Sequence, residues 1–106
     1  MTGRFHRNTH IPEVMEIEIR KRDKKCVYCG IKFSQEIHPT WEHIINDENI
    51  ITFENIVLCC RSCNSSKGQK LLKDWIETEY CKKKNISYNT VTPIIKNALD
   101  DYKKKI

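Results

Sequence analysis

The chain has 106 residues, of which 39% are hydrophobic and 31% charged, and its formal net charge is +5. This length predicts one small domain, and no stretch approaches the ~20 consecutive apolar residues of a membrane-spanning helix. The first residues contain no apolar signal-peptide region, so a cytoplasmic protein is expected. The excess positive charge lies after residue 50, which fits a solvated lysine-rich surface or a polyanionic partner.

The N-terminal half predicts a basic arm, one helix and the first strand of a hairpin. Residues 1–10 are polar and basic without periodicity, so a flexible arm is expected. Residues 11–23 place apolar side chains at helical spacing, and Pro12 suits a first helical turn; the same segment also alternates with period two, but a helix is favoured. Residues 26–30 predict a tight turn, and residues 41–45 a strand.

The C-terminal half predicts a second strand and three helices. Phe53 to Leu58 form an apolar run typical of a strand. Residues 60–67 begin a helix that Gly68 can end, and apolar residues between 71 and 80 mark one face of the next helix. A last helix is expected to begin at Pro93, which follows a threonine.

Two CxxC pairs, thirty residues apart, predict a metal site. Cys26 and Cys29 form the first pair, and Cys60 and Cys63 the second. In a reducing compartment such pairs indicate metal binding rather than disulfides. Four thiolates suit tetrahedral Zn²⁺ and leave no open coordination position, so a structural zinc ion is predicted. Cys59 with Cys63 is a second register, but Cys60 reproduces the gap of the first pair, and Cys59 would then pack as a small apolar side chain.

Two alternatives to zinc remain at this point. The four cysteines could be buried free thiols, or a CxxC pair could be redox-active, although nothing around it resembles a βαβ unit. Cys81 has no partner at metal-binding spacing and is expected to be a structural thiol.

An ordered polar motif lies between the two cysteine pairs and directly after the second. Together with the CxxC pairs it resembles the HNH nuclease family across about residues 20–76. The resemblance implies an α+β fold: a small ββα-metal (HNH/treble-clef-like) finger with zinc knuckles and flanking helices. The motif residues, in chain order, are Glu42, His43, Ile44, Asn55, Asn64, Lys67 and Gly68.

The resemblance also implies a role for each motif residue. His43 would be the general base that activates water, and Asn55 would brace the loop that holds it. Asn64 and Glu42 would bind a catalytic divalent ion, with Glu42 in place of the more usual aspartate. Histidine has an unperturbed pKa of about 6.5, which suits a base at neutral pH. A carboxylate with an amide oxygen suits Mg²⁺ or Mn²⁺.

Each of these residues also has an ordinary structural interpretation. His43 alone would be an unremarkable surface or core histidine, Asn55 a turn residue, and Asn64 a helix cap. Within a strand, Glu42 and His43 would point to opposite faces. The two must therefore lie at the end of the strand if both are to reach one site.

The leading functional hypothesis is a metal-dependent endonuclease that cuts DNA, of restriction, phage or mobile-element type. The alternative is a non-catalytic zinc-stapled module that binds nucleic acid. Residues 11–80 would form the nuclease domain and residues 81–106 a basic helical extension. One active site cuts one strand, so a homodimer is one route to a double-strand cut.

Lys67 is expected to meet a phosphate or the last carbonyls of a short helix. The nucleic-acid-binding residues predicted from the motif region are Arg61, Lys67 and Lys70.

Overall fold

The computed structural model describes residues 11–104, so the arm predicted for residues 1–10 lies outside the described part of the chain. Within these residues a two-stranded antiparallel hairpin is preceded by one helix and followed by four. This arrangement confirms the predicted α+β fold, in which a hairpin leads directly into a helix. The elements are α1 (Glu13–Arg22), β1 (Thr40–His43), β2 (Ile56–Cys59), α2 (Arg61–Lys67), α3 (Leu72–Trp75), α4 (Glu79–Lys83) and α5 (Pro93–Lys104).

The hairpin is a central layer with buried side chains on both faces. All four residues of β2 are buried. Val57 and Cys59 contribute to the larger core, which also contains Cys26, Cys60 and Cys63. Ile56 and Leu58 contribute to a smaller core beneath α1. Successive strand residues point to opposite faces, so a strand buried on both sides is apolar throughout.

The two strands are shorter than predicted, and their bounds are shifted. β1 ends at His43 instead of Ile45, because the chain bends after His43. Phe53 lies in a turn with its side chain exposed, and β2 begins at Ile56. The register pairs His43 with Ile56 at the end of the hairpin where the connecting loop begins.

The C-terminal end of α1 is attached to the outer edge of β2. The Asp23 carboxylate accepts a hydrogen bond from the Leu58 N–H at 3.1 Å, and the Val27 N–H donates to the Leu58 carbonyl at 3.2 Å. The Arg22 guanidinium pairs with Asp23 at 2.7 Å and donates to the Ile56 carbonyl at 2.8 Å. These bonds satisfy backbone groups that an edge strand would otherwise leave open.

The second half of the chain follows the predicted order, with one difference. α2 ends at Lys67 and is capped by Gly68, whose φ of 51° lies in the left-handed region that favours glycine. The helix predicted between residues 71 and 80 is two short helices, because Thr78 begins α4 by accepting a hydrogen bond from the Cys81 N–H. α5 begins at Pro93, as predicted, and buries Ile95 in the larger core.

Candidate metal centre and active site

Four cysteines converge between the first turn and the start of α2. Their sulfur atoms all lie within 4.8 Å of one another, and the Sγ atoms of Cys29 and Cys60 are 3.8 Å apart. Cys59 is not in this group, and its Sγ lies 3.7 Å from Oγ1 of Thr40. The register that uses Cys60 is therefore confirmed. The cluster consists of Cys26, Cys29, Cys60 and Cys63.

Backbone N–H groups in the first CxxC turn point at a sulfur. The N–H groups of Tyr28 and Cys29 each lie 3.4 Å from Sγ of Cys26. Gly30 closes this turn with a φ of 80°, which a residue with a side chain rarely adopts. A hydrogen bond from the Cys63 thiol, together with these backbone N–H groups, lowers the pKa of Cys26 to about 5. Thiolate is the form that binds metal, so the turn prepares a ligand.

The second CxxC pair repeats this pattern at the start of α2. Cys60 is the N-cap of the helix, and its Sγ accepts a hydrogen bond from the Cys63 N–H at 3.4 Å. The Tyr80 hydroxyl donates to Sγ of Cys63 at 3.3 Å. Four sulfur donors suit a structural metal ion, and an all-thiolate set without an open position suits zinc best. Sequence reasoning treated Tyr80 only as part of an apolar helix face.

Asn64, the residue after the last cysteine, joins α2 to β1. Its Nδ2 donates to Oγ1 of Thr40 at 2.9 Å and to the carbonyl of Trp41 at 3.1 Å. A backbone carbonyl only accepts hydrogen bonds, so this contact fixes which end of the amide faces the strand. Among the described residues nothing donates to Oδ1 of Asn64.

Glu42 lies in the interior, paired with a buried lysine. Nζ of Lys67 is 2.9 Å from Oε2 of Glu42, and the exposed fractions of these residues are 0% and 5%. The Tyr28 hydroxyl donates to the same oxygen at 3.1 Å. Burial raises the pKa of the Glu42 carboxyl, although the Lys67 ammonium acts in the opposite direction. Both contacts use Oε2, so within the described part of the chain Oε1 of Glu42 accepts no hydrogen bond.

The structure corrects the nucleic-acid role predicted for Lys67. A fully buried ammonium cannot contact a phosphate at the surface. The carbonyls that Lys67 contacts belong to His43 and Ile44 at the end of β1, not to the end of a helix. The residue lies four positions after Cys63, so both project from one face of α2 into the core. This spacing is the signal that could have indicated its burial.

His43 is the last residue of β1, where the chain leaves the sheet. Strand alternation places its side chain on the opposite face from that of Glu42. The side chain is half-buried, and its Nε2 is among the buried atoms. His43 does lie at the strand end, and a common site for His43 and Glu42 stays a prediction.

Asn55 bonds to the loop that follows His43. Its Oδ1 accepts from the Ile45 N–H at 2.7 Å, and its Nδ2 donates to the carbonyls of Ile45 at 3.2 Å and Ile50 at 3.0 Å. The Asn55 carbonyl accepts from the Ile44 N–H at 2.9 Å. Three side-chain bonds thus hold the backbone directly after His43 and close the loop.

Two of the predicted nucleic-acid-binding residues lie at the surface. Arg61 at the start of α2 and Lys70 beyond its end are both exposed. Nζ of Lys70 lies 3.3 Å from the Ser66 carbonyl. Their contact with nucleic acid stays a prediction.

Comparison with known proteins finds a family model similar to this part of the chain. Residues 26–70 match the family model described as HNH endonuclease. No curated protein and no solved structure matches the chain. None of the helices in the described residues has the length and apolarity to cross a bilayer. The matched segment contains the four cysteines, the hairpin and α2, so residues 26–70 are similar to an HNH endonuclease domain.

Proposed function

We propose that the domain is a metal-dependent endonuclease that hydrolyses DNA phosphodiester bonds. The family match implies a nucleic-acid substrate and a nuclease-type or binding function. One observation carries the catalytic assignment. The helix anchored by Cys60 and Cys63 bonds through Asn64 to the strand that carries Glu42 and His43. A structural Zn²⁺ at the cysteines would therefore fix the spacing between the proposed base and the proposed ligands.

The catalytic ion of this proposal is Mg²⁺ or Mn²⁺, held by Glu42 and Asn64. Each side chain uses one polar atom within the fold, Oε2 of Glu42 and Nδ2 of Asn64, and its remaining oxygen receives no hydrogen bond from described residues. Carboxylate and amide oxygens are ligands that hard divalent ions prefer. When bound, such an ion stabilises negative charge on the phosphate and the leaving oxygen.

His43 is the proposed general base. Histidine titrates near neutral pH, so its imidazole can accept a proton from the water that attacks the phosphorus. Asn55 holds the backbone beyond His43 through three hydrogen bonds. That support would keep the imidazole in one position relative to the attacking water, and general bases depend on such geometry.

A second candidate is a non-catalytic module that binds nucleic acid. The observation that favours it is the burial of Glu42 against Lys67, because the ammonium offsets the charge with which the carboxylate would attract a cation. In either case Arg61 and Lys70 are proposed to contact the phosphate backbone.

We place the protein in the cytoplasm as part of the proposal, because a metal site built from four cysteines needs reduced thiols.

Cleavage of supercoiled plasmid at low salt tests the proposal. The wild type should nick DNA with Mg²⁺ or Mn²⁺, and His43→Ala should lose nearly all activity while keeping its zinc content and circular dichroism spectrum. If His43→Ala cuts as well as the wild type, the catalytic assignment is wrong. DNA binding without cleavage in any metal would establish the binding module instead. Linear product from a single encounter would support a homodimer, and sequencing of the ends would report site preference.

A further inference from the structure

A single buried ammonium contacts three consecutive residues at the end of β1. Nζ of Lys67 lies 2.9 Å from Oε2 of Glu42, 3.0 Å from the Ile44 carbonyl and 3.5 Å from the His43 carbonyl. Lysine is almost never fully buried, because removing its charge from water costs several kcal/mol. One carboxylate and two carbonyls offset that cost here. Lys67 therefore does more at this position than fill space in the core.

The three contacts fall on the backbone that carries His43. The loop side of this backbone is held by Asn55, whose side chain bonds to Ile45. The helix side is held by Lys67. Lys67 lies one turn after Cys63 on α2, so the helix connects it directly to the cysteine cluster.

We propose that Lys67 is a positioning residue for His43, and that it transmits the position of the metal-anchored helix to the end of β1. This inference rests on the proposed nuclease function for its catalytic consequence, but not for its structural one. Lys67 does not touch the reacting atoms in this scheme. It fixes the two peptide groups on either side of the Ile44 Cα through the His43 and Ile44 carbonyls, and Asn55 bonds to the N–H and the carbonyl of Ile45.

NMR of the histidine rings tests the structural part without any need for cleavage. Lys67→Met keeps a long side chain and removes the ammonium, and Lys73→Met is the matched control, because Lys73 pairs with Asp74 at the surface. The His43 ring signals are assigned by their loss in His43→Gln. In Lys67→Met, the His43 ring and the Ile44 and Ile45 amide signals should shift or broaden. The amide signals of α5 should stay in place, and Lys73→Met should change none of the His43, Ile44 and Ile45 signals.

A second variant covers the case in which Lys67→Met does not fold. Removing one partner of a buried ion pair leaves an uncompensated charge, whereas replacing both partners is often close to neutral. Glu42→Gln/Lys67→Met therefore removes the charge pair together with the bonds to the carbonyls of His43 and Ile44. The same NMR changes in this folded double variant would support the proposal. Unchanged His43 and Ile44 signals in whichever variant folds would overturn it, as would failure of both variants to fold.

Steady-state cleavage kinetics test the catalytic part. Lys67→Met should lower kcat by about 10- to 100-fold, the scale expected for misplaced groups, with KM for DNA within about twofold of the wild type. If the variant instead loses catalytic efficiency through a higher KM for DNA, or loses none, the positioning role is overturned. If the wild type does not cleave DNA, the proposed function fails, and the NMR comparison still decides whether Lys67 positions His43.

Discussion

The Tyr80 hydroxyl donates a hydrogen bond to Sγ of Cys63 at 3.3 Å. The same oxygen lies 2.7 Å from Oγ of Ser62, and the ring packs at a tilt against Trp75, with 6.0 Å between the centroids. Tyr80 belongs to α4, which follows the segment that matches the HNH family. The C-terminal part of the chain therefore contributes to the surroundings of the metal cluster.

Tyr80→Phe should weaken metal retention while leaving the fold intact. The ring and its contact with Trp75 remain, and only the donor to Cys63 is lost. Groups that hydrogen-bond to metal ligands typically change metal affinity by about 10- to 100-fold. We expect faster transfer of zinc to a chromogenic chelator, with an unchanged circular dichroism spectrum before chelation. Tyr88→Phe is the control, because its exposed hydroxyl bonds to Asp100 instead; equal zinc transfer rates in the two variants would contradict the assignment.

Removing a cluster cysteine should unfold the domain, whereas removing its neighbour should not. Cys60→Ala takes away one of four sulfur donors, and structural zinc contributes roughly 10–16 kcal/mol of apparent binding free energy to small domains. We expect this variant to lack stoichiometric zinc and to lose most of its helical circular dichroism. Cys59→Ala should keep one zinc ion per chain, since its sulfur lies outside the cluster. Zinc retention by Cys60→Ala together with zinc loss by Cys59→Ala would reverse the register.

The buried ion pair should show strong coupling in a double-mutant cycle. Lys67→Met leaves Glu42 as a buried charge without its cation, which costs about 3–5 kcal/mol. Glu42→Gln leaves the Lys67 ammonium buried without its carboxylate partner, at a comparable cost in free energy. The double variant should lose less free energy of unfolding than the sum of the single variants, as measured by urea denaturation of the zinc-loaded protein. Additive losses would mean that the two groups stabilise the fold independently.

Asn55→Asp should destabilise the loop beyond β1. The substitution keeps an oxygen that can accept from Ile45 but removes the donor to the carbonyls of Ile45 and Ile50. Two lost bonds, with a carboxylate now facing two carbonyls, should cost about 2–4 kcal/mol. Amide hydrogen exchange at Ile45 should accelerate accordingly. Asn46→Asp places the same charge at an exposed position in the loop, and similar exchange rates in both variants would rule out a specific role for Asn55.

The sequence predicts the metal cluster and the order of elements well. CxxC spacing identifies all four sulfur donors, because each pair must lie in a tight turn whatever the rest of the chain does. The start of α5 at Pro93 is equally local, since proline suits a first helical turn. Such features depend on short segments and on the geometry of one residue type.

Contacts between distant segments are predicted poorly. The sequence predicts a phosphate or the last carbonyls of a short helix as the partner of Lys67, whereas the structure buries it against Glu42; only its spacing from Cys63 indicated this burial. The bond between Tyr28 and Glu42 joins residues fourteen positions apart, and nothing in the CxxC turn indicates its partner. The sequence places the start of β2 at Phe53 instead of Ile56, because a strand buried on both faces shows no alternation of apolar and polar residues that would mark its ends.

The attachment of Asp23 and Val27 to Leu58 has a consequence for behaviour at high concentration. A hairpin with an open side can recruit a strand from a neighbouring copy, and this is a common first step of aggregation. Here the side chain of Asp23 and the main chain of Val27 occupy the Leu58 groups that such a strand would need. These contacts directly after α1 thus protect one side of the hairpin against intermolecular β-pairing.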